Sequence, residues 1–453
     1  MQDLTTGSIA GHLVKTTSFM LVGMVFQTLY VLVDLYWLAR LGTEPVAAVA
    51  LSTNLMFMVL ALTQMLGVGT TTLVSHAVGR KDREQALFVF NQSHVLSIVA
   101  GALFFVVAMA LRASYTRSLS ADAITAQLAS DYLGWFIPAM AVQFALVAMG
   151  SAMRGTGQFK PSMVIQTSTV ILNIILAPFL IFGWITGYQL GVAGAALATF
   201  IAVLAGTAGL ALYFRPAEAY LKFRPSSWRP SLSTWRRILK IGIPAGTEFA
   251  LMAAYLILVY AVSRRFGAAA QAGFGMGTRI VQALFLPIVA LGFAVAPVAG
   301  QNFGARKASR VRDTFRSAAS MALAAMVGAV LVLQMAPAAV IRFFSSDAAV
   351  IATGTEYLQI ISWSFLASGI IFVSSSMFQA MGNTLPSLAT SFMRILLVAI
   401  PVIILSGQPG FQLRWVWYLS VASVMIQLCL NLLLLRREFR VRLDFGPVTQ
   451  PAG

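Results

Sequence analysis

Apolar runs of about 20 or more residues recur along the whole chain, separated by short polar breaks. Each run is long enough to cross a hydrocarbon core of about 30 Å as a helix. Read one after another, they predict twelve membrane-spanning helices. The first six are Thr16–Ala39, Val46–Val78, Leu87–Leu111, Leu128–Met153, Pro161–Gly183 and Leu190–Phe214. The second six are Trp235–Ser263, Ala272–Asn302, Phe315–Ile341, Val350–Ala380, Leu385–Ser406 and Phe411–Leu435. The pattern is that of an all-α polytopic membrane protein. The first run lacks a small-residue cleavage site and continues as a full span, so no cleavable signal is expected.

The breaks differ in charge. Those at Gly79–Glu84, Arg215–Lys240, Gly304–Arg316 and Arg436–Arg442 are strongly basic and fall on one side of the predicted topology. Breaks on the other side, such as Gly183–Gln189, are short and carry little charge. Of 31 Lys and Arg residues, 22 lie on the first side, 7 on the second and 2 within spans. That asymmetry places both termini in the cytoplasm. It also accounts for the net charge of +17 without a nucleic-acid partner. Composition agrees: 59% of residues are hydrophobic and 10% charged, where a soluble domain carries about 25% charged residues. A single cysteine, Cys429, excludes a disulfide framework.

Arg215–Lys240 is the one long polar connector, with prolines at 216, 225 and 230. It predicts an N-terminal lobe over residues 1–214, a cytoplasmic linker over 215–240, and a C-terminal lobe over 241–453 ending in a basic tail. Self-comparison supports two related halves. An offset of 225 superimposes Arg40 on Arg265, Gly42 on Gly267, Gly67 on Gly292 and Gly79 on Gly304. Further along, Gly155 falls on Gly382 at an offset of 227, as though a small gap intervened. Each half has an even number of spans, so the repeats run parallel, with a pseudo-two-fold axis along the membrane normal. Secondary transporters are built this way.

Only two of the 14 acidic residues, Asp34 and Glu248, lie well inside spans. A carboxylate taken out of water must pair, take up a proton or face a watery cavity, so an acid at this depth marks a functional site. Asp34 shares one helical face with Gln27 and Tyr30, spaced i, i+3 and i+7. Arg40, six residues on, points elsewhere, because six residues turn a helix by about 240°. In the fifth span Gln166 and Asn173 share a face, and Pro178 leaves a carbonyl unbonded one turn earlier. Thr199 ends a run of small residues in the sixth span. Glu248 and Arg394 sit at similar distances from the cytoplasmic ends of their helices, which predicts a structural ion pair.

His12, His76 and His94 are scattered, and no nucleotide-binding, nucleophile or metalloprotease motif occurs. No enzyme activity, bound metal or cofactor is expected.

Seven stretches together resemble the multidrug and toxic compound extrusion (MATE) family, and within it the prokaryotic DinF-like branch. They are QTLYVLVDLYWLARLG, VGRKDREQA, AMRGTGQFKPSM, LNIILAPFLIFG, GVAGAALAT, GQNFGARK and SFMRILLVAIP. The resemblance implies two six-helix lobes in a V and export of amphipathic, often cationic compounds in exchange for H⁺ or Na⁺. Asp34 matches the family's first-span coupling acid, and Asn173 and Thr199 match polar positions of the same site. The chain departs at Ala177, where the family often carries a second aspartate. A sodium site would lose half its charge there, whereas a proton needs one acid. The expectation is an H⁺-coupled multidrug antiporter in a bacterial inner membrane, handling small molecules as a monomer among lipids. The alternative is a lipid-linked oligosaccharide flippase of the same superfamily, which would need more basic residues in its spans than Arg279 and Arg394.

Overall fold

Polar residues that cap and break the helices set the element boundaries. In the computed structural model, residues 1–120, 122–184, 187–216 and 219–445 are described. Residues 185–186 of the Gly183–Gln189 break, 217–218 of the connector and 446–453 of the tail lie outside them. The helices of the first half are α1 (Ile9–Ala39), α2 (Thr43–Gly79), α3 (Arg83–Leu119), α4 (Ala123–Gly155), α5 (Phe159–Phe182) and α6 (Gly191–Tyr213). The second half contains α7 (Leu232–Ser263), α8 (Ala268–Gly304), α9 (Ala308–Met335), α10 (Pro337–Arg342), α11 (Ala348–Ile361), α12 (Phe365–Ala380), α13 (Leu385–Ser406) and α14 (Leu413–Arg442). There is no strand among the described residues. Among the described residues, twelve segments are long and apolar enough to span a membrane; α11 and α12 count as one, joined through a 3₁₀ turn at Ser362–Ser364.

The internal repeat extends to backbone detail. The side chains of Asp122 and Asp347, 225 residues apart, cap α4 and α11 by accepting from the amides of Thr125 (2.7 Å) and Ala349 (2.8 Å). Residues with positive φ recur at the same spacing: Gly42 and Gly267, Lys81 and Arg306, Gly157 and Gly382. The last pair corrects the sequence alignment. Gly382 corresponds to Gly157, both near φ +75°, and no gap is needed. Gly155 holds a different post, close against Val74 of α2.

The chain forms two compact units: Met1–Asp3 with Phe19–Ile243, and Leu4–Ser18 with Pro244–Gly453. Helix α1 therefore changes unit between Ser18 and Phe19, and α7 between Ile243 and Pro244. The proline at the second point removes a backbone donor from the helical ladder. In unit 1 two thirds of the most apolar stretch of α4 is fully buried, whereas no residue in that of α1 is, many there being half-buried. The start of α7 packs tightly on α2 in this unit. A side chain at Gly69 would strike the backbone of Ile238, and one at Gly242 would strike that of Met65.

The connector is held on α3. Asn91 donates to the Lys222 carbonyl (3.1 Å) and accepts from the Arg224 amide (2.9 Å), and Gln92 donates to the Ser227 and Arg229 carbonyls. In unit 2 the N-terminal residues are held in the same manner. Asn302 donates to the Leu4 carbonyl (3.1 Å), and Arg310 to that of Gly7. The core of unit 2 centres on Trp417, stacked on Phe274 with ring centroids 5.3 Å apart and met edge-on by Tyr357.

Candidate functional site

Asp34 lies near the end of α1 furthest from the N-terminus, within unit 1. Its Oδ1 is sealed from solvent and has no hydrogen-bond partner. A buried acceptor of this kind is rare, because leaving it unmatched costs the full desolvation penalty of the group. Around it stand polar groups that are already committed elsewhere.

Thr199 on α6 is their hub. Its hydroxyl donates to the Ala195 carbonyl one turn back (3.2 Å), which uses its one hydrogen. The two remaining contacts must therefore be accepted: Asn173 Nδ2 on α5 donates at 3.1 Å, and the Tyr30 hydroxyl on α1 donates at 3.2 Å. Tyr30 is thus engaged with Thr199 rather than with Asp34. Asn173 and Thr199 are 3% and 5% exposed, so this arrangement is set by packing rather than by water.

Tyr132 on α4 completes the site. It is buried, interacts electrostatically with Asp34 and Tyr30, and hydrogen-bonds Ser52 on α2. Neither residue stood out in the sequence. A tyrosine and a serine in separate apolar helices carry no local pattern, and their convergence depends on how α2 and α4 pack. Ala177, buried on α5, contributes no charge.

The structure brings together Asp34, Tyr30, Asn173 and Thr199 of the residues singled out in the sequence. Gln27 is exposed. Gln166 donates to Ser162 on its own helix (3.2 Å), one turn towards the start of α5. The site holds one carboxylate, and no cluster of three or more metal-ligating side chains occurs among the described residues.

The expected Glu248–Arg394 pair is not formed. Four ion pairs exist among the described residues, and neither side chain is in any of them. Glu248 hydrogen-bonds Ser387, and Arg394 lies over the ring of Tyr255 at 5.4 Å. Both contacts join α7 to α13, and they are seven residues apart on each helix. Arg394 is therefore two turns, about 10 Å, further along than Glu248. Counting depth from each helix's own start concealed this, because the two starts are not level.

The MatE family profile matches residues 20–179 and 244–405. Multidrug export protein MepA of Staphylococcus haemolyticus (strain JCSC1435) is 28% identical over 367 residues, covering 80% of each chain. MepA of Staphylococcus aureus (strain MRSA252) is 27% identical over 433 residues, 94% of this chain and 93% of that one. Among solved structures, an outward-facing multidrug resistance MATE family transporter of the MOP superfamily superimposes with a TM-score of 0.89 at 24% identity, covering 97% of this chain and 98% of the other. A MOP superfamily transporter from Pyrococcus furiosus superimposes with a TM-score of 0.88, also at 24% identity and with the same coverage. With the profile covering both halves of the internal repeat, the chain belongs to the MATE family of transporters and is not an enzyme.

Proposed function

We propose that this protein is a secondary active multidrug antiporter that exports amphipathic, cationic organic compounds in exchange for H⁺, with Asp34 as the coupling acid. The reading places the protein in a bacterial inner membrane as a monomer, with both termini in the cytoplasm. The observation that carries it is the buried Asp34 oxygen with no donor, beside two tyrosines whose hydroxyls are engaged elsewhere.

Such an acid has two ways to be satisfied. When protonated it is neutral and no longer needs a partner of opposite charge in its buried site. When ionised it needs a cation, and a positively charged substrate supplies one. Proton and substrate thus compete for one group, which is the requirement for exchange. Uptake of a proton from outside neutralises Asp34 and releases the cargo; loss of that proton to the cytoplasm restores the charge. One proton in for one monovalent cation out moves no net charge, so the proton gradient drives the exchange, with a tenfold gradient supplying about 1.4 kcal/mol.

Proton coupling is favoured over Na⁺ coupling because the site has one carboxylate and Ala177 adds none. The names of the MepA relatives support multidrug export. The test is ethidium transport in vesicles under an imposed pH gradient or an imposed Na⁺ gradient, with Asp34→Asn alongside. The expected result is transport driven by the pH gradient and lost in the variant. Transport driven by Na⁺ alone, or retained by Asp34→Asn, overturns the reading.

A further inference from the structure

At the end of each unit furthest from the basic loops lies a cleft that the transport cycle above does not use. The first, about 570 Å³, is lined by Leu41, Arg112, Asp131, Trp135, Gln189 and Leu190 among others. The second, about 530 Å³, is lined by Arg342, Ser346, Ile351, Thr355, Glu356 and Gln359 among others. Their carboxylates are repeat-related: Asp131 and Glu356 are 225 residues apart, like the aspartates that cap their helices. The arginines are not. Arg112 comes from the last turns of α3, and Arg342 ends α10. One cation and one anion thus occur in both clefts, although the cation reaches each by a different route.

In neither cleft do the two charges neutralise each other. Neither Arg112 nor Arg342 is in any ion pair among the described residues. Asp131 accepts from Gln127 through Oδ1 (2.9 Å), and Glu356 has a long contact of 3.6 Å with the exposed Arg414. The first cleft shows how the charges are held apart. Gly134 makes room for the Arg112 guanidinium: a Cβ there would lie 2.8 Å from its Nη1. Gly134 is three residues after Asp131, so the guanidinium lies against the same face of α4 as the carboxylate. Separate positive and negative groups in one cleft match a molecule that carries both an anion and an ammonium group. Arginine recognises phosphate through two parallel N–H bonds, and a carboxylate accepts from a primary ammonium.

The surroundings point to the source. Both clefts are lined by residues towards the ends of apolar helices, the level at which a helix matched to the hydrocarbon core meets the headgroups. Trp135 at the first is 42% exposed, as an interfacial tryptophan is. Exposed Leu190, Trp184 and Tyr188 flank the same end. We propose that each cleft seats the headgroup of a zwitterionic lipid bearing a primary ammonium, a phosphatidylethanolamine. Arg112 and Arg342 bind the phosphate, and Asp131 and Glu356 accept from the ammonium. This proposal does not depend on which ion drives transport.

Native mass spectrometry of the delipidated protein tests it, using phosphatidylethanolamine, phosphatidylcholine, phosphatidylglycerol and soluble glycerophosphoethanolamine as separate probes. Two phosphatidylethanolamines should be retained per chain. Phosphatidylcholine has no N–H to donate and phosphatidylglycerol has no cation, so each should be retained at least about tenfold less. Arg112→Ala and Arg342→Ala should each remove one bound lipid, and the double variant both. Ethidium transport in vesicles free of phosphatidylethanolamine should be unchanged, showing that the variants are folded. Equal retention of the three lipids, or unchanged retention in the double variant, overturns the proposal. Soluble glycerophosphoethanolamine binding as tightly as the lipid overturns the lipid as the source.

Discussion

The two buried acids of this chain sit in related halves and in opposite circumstances. Asp34 in unit 1 stands among hydroxyls and an amide, yet its Oδ1 accepts from none of them, and the hydrogen bonds of the Tyr30–Asn173–Thr199 network run to Thr199 or to its backbone. Glu248 in unit 2 has a hydroxyl partner, Ser387, which in turn contacts Ser375. The difference lies in the donors, since each is a lone acid in its unit's polar cluster. A single hydroxyl meets part of a carboxylate's acceptor capacity, whereas Asp34 Oδ1 has no donor at all. The repeat gives two related scaffolds, and the first leaves its internal acid with an oxygen that no donor reaches.

That contrast can be broken most sharply by neutralising each acid in turn. Asp34→Asn should reduce ethidium efflux to the level of empty vesicles with normal membrane insertion, whereas Glu248→Gln should leave it within about twofold of wild type, less than the 1.4 kcal/mol that a tenfold change represents. Equal losses in both variants would erase the distinction. Thr199→Ala comes next in size. It strips the acceptor from Asn173 and Tyr30, and leaving buried donors unpaired costs about 1–3 kcal/mol. A drop of about tenfold in efflux is expected, with recovery in Thr199→Ser; failure of the serine to rescue would mean that the hydroxyl is not the hub. Asn91→Ala should leave efflux per folded molecule unchanged and lower thermal stability by about 1–3 kcal/mol, because the connector's Arg224 amide loses its buried acceptor. The smallest effect belongs to the exposed pair of Glu84 with Arg224. Exposed pairs contribute little, so Glu84→Gln should not move the thermal midpoint measurably, and a clear shift would give the connector a larger role than its hydrogen bonds imply.

Much of this was legible in the chain itself. Asp34 drew notice because a carboxylate is rare in an apolar run, and Asn173 and Thr199 because family motifs mark them. Glu248 is equally conspicuous, but its partner is not legible: the axial offset between α7 and α13 is set by packing, and residue counts along one helix carry no information about another. Gly155 and Gly157 look alike as letters, while only Gly157 has the left-handed backbone that Gly382 repeats. Tyr132 and Ser52 were invisible, since nothing in their own helices distinguishes them from filler. The points where α1 and α7 change unit fall inside continuous helices with no polar break to mark them.

The sequence by itself determined the number of spans, the repeat and the rarity of internal charge, because hydrophobic length and charge cost in a bilayer act residue by residue. The tertiary structure alone decided which polar groups meet and which of the two internal acids has an oxygen left without a donor. Those outcomes depend on the rotation and relative height of packed helices, and no stretch of one helix encodes either quantity.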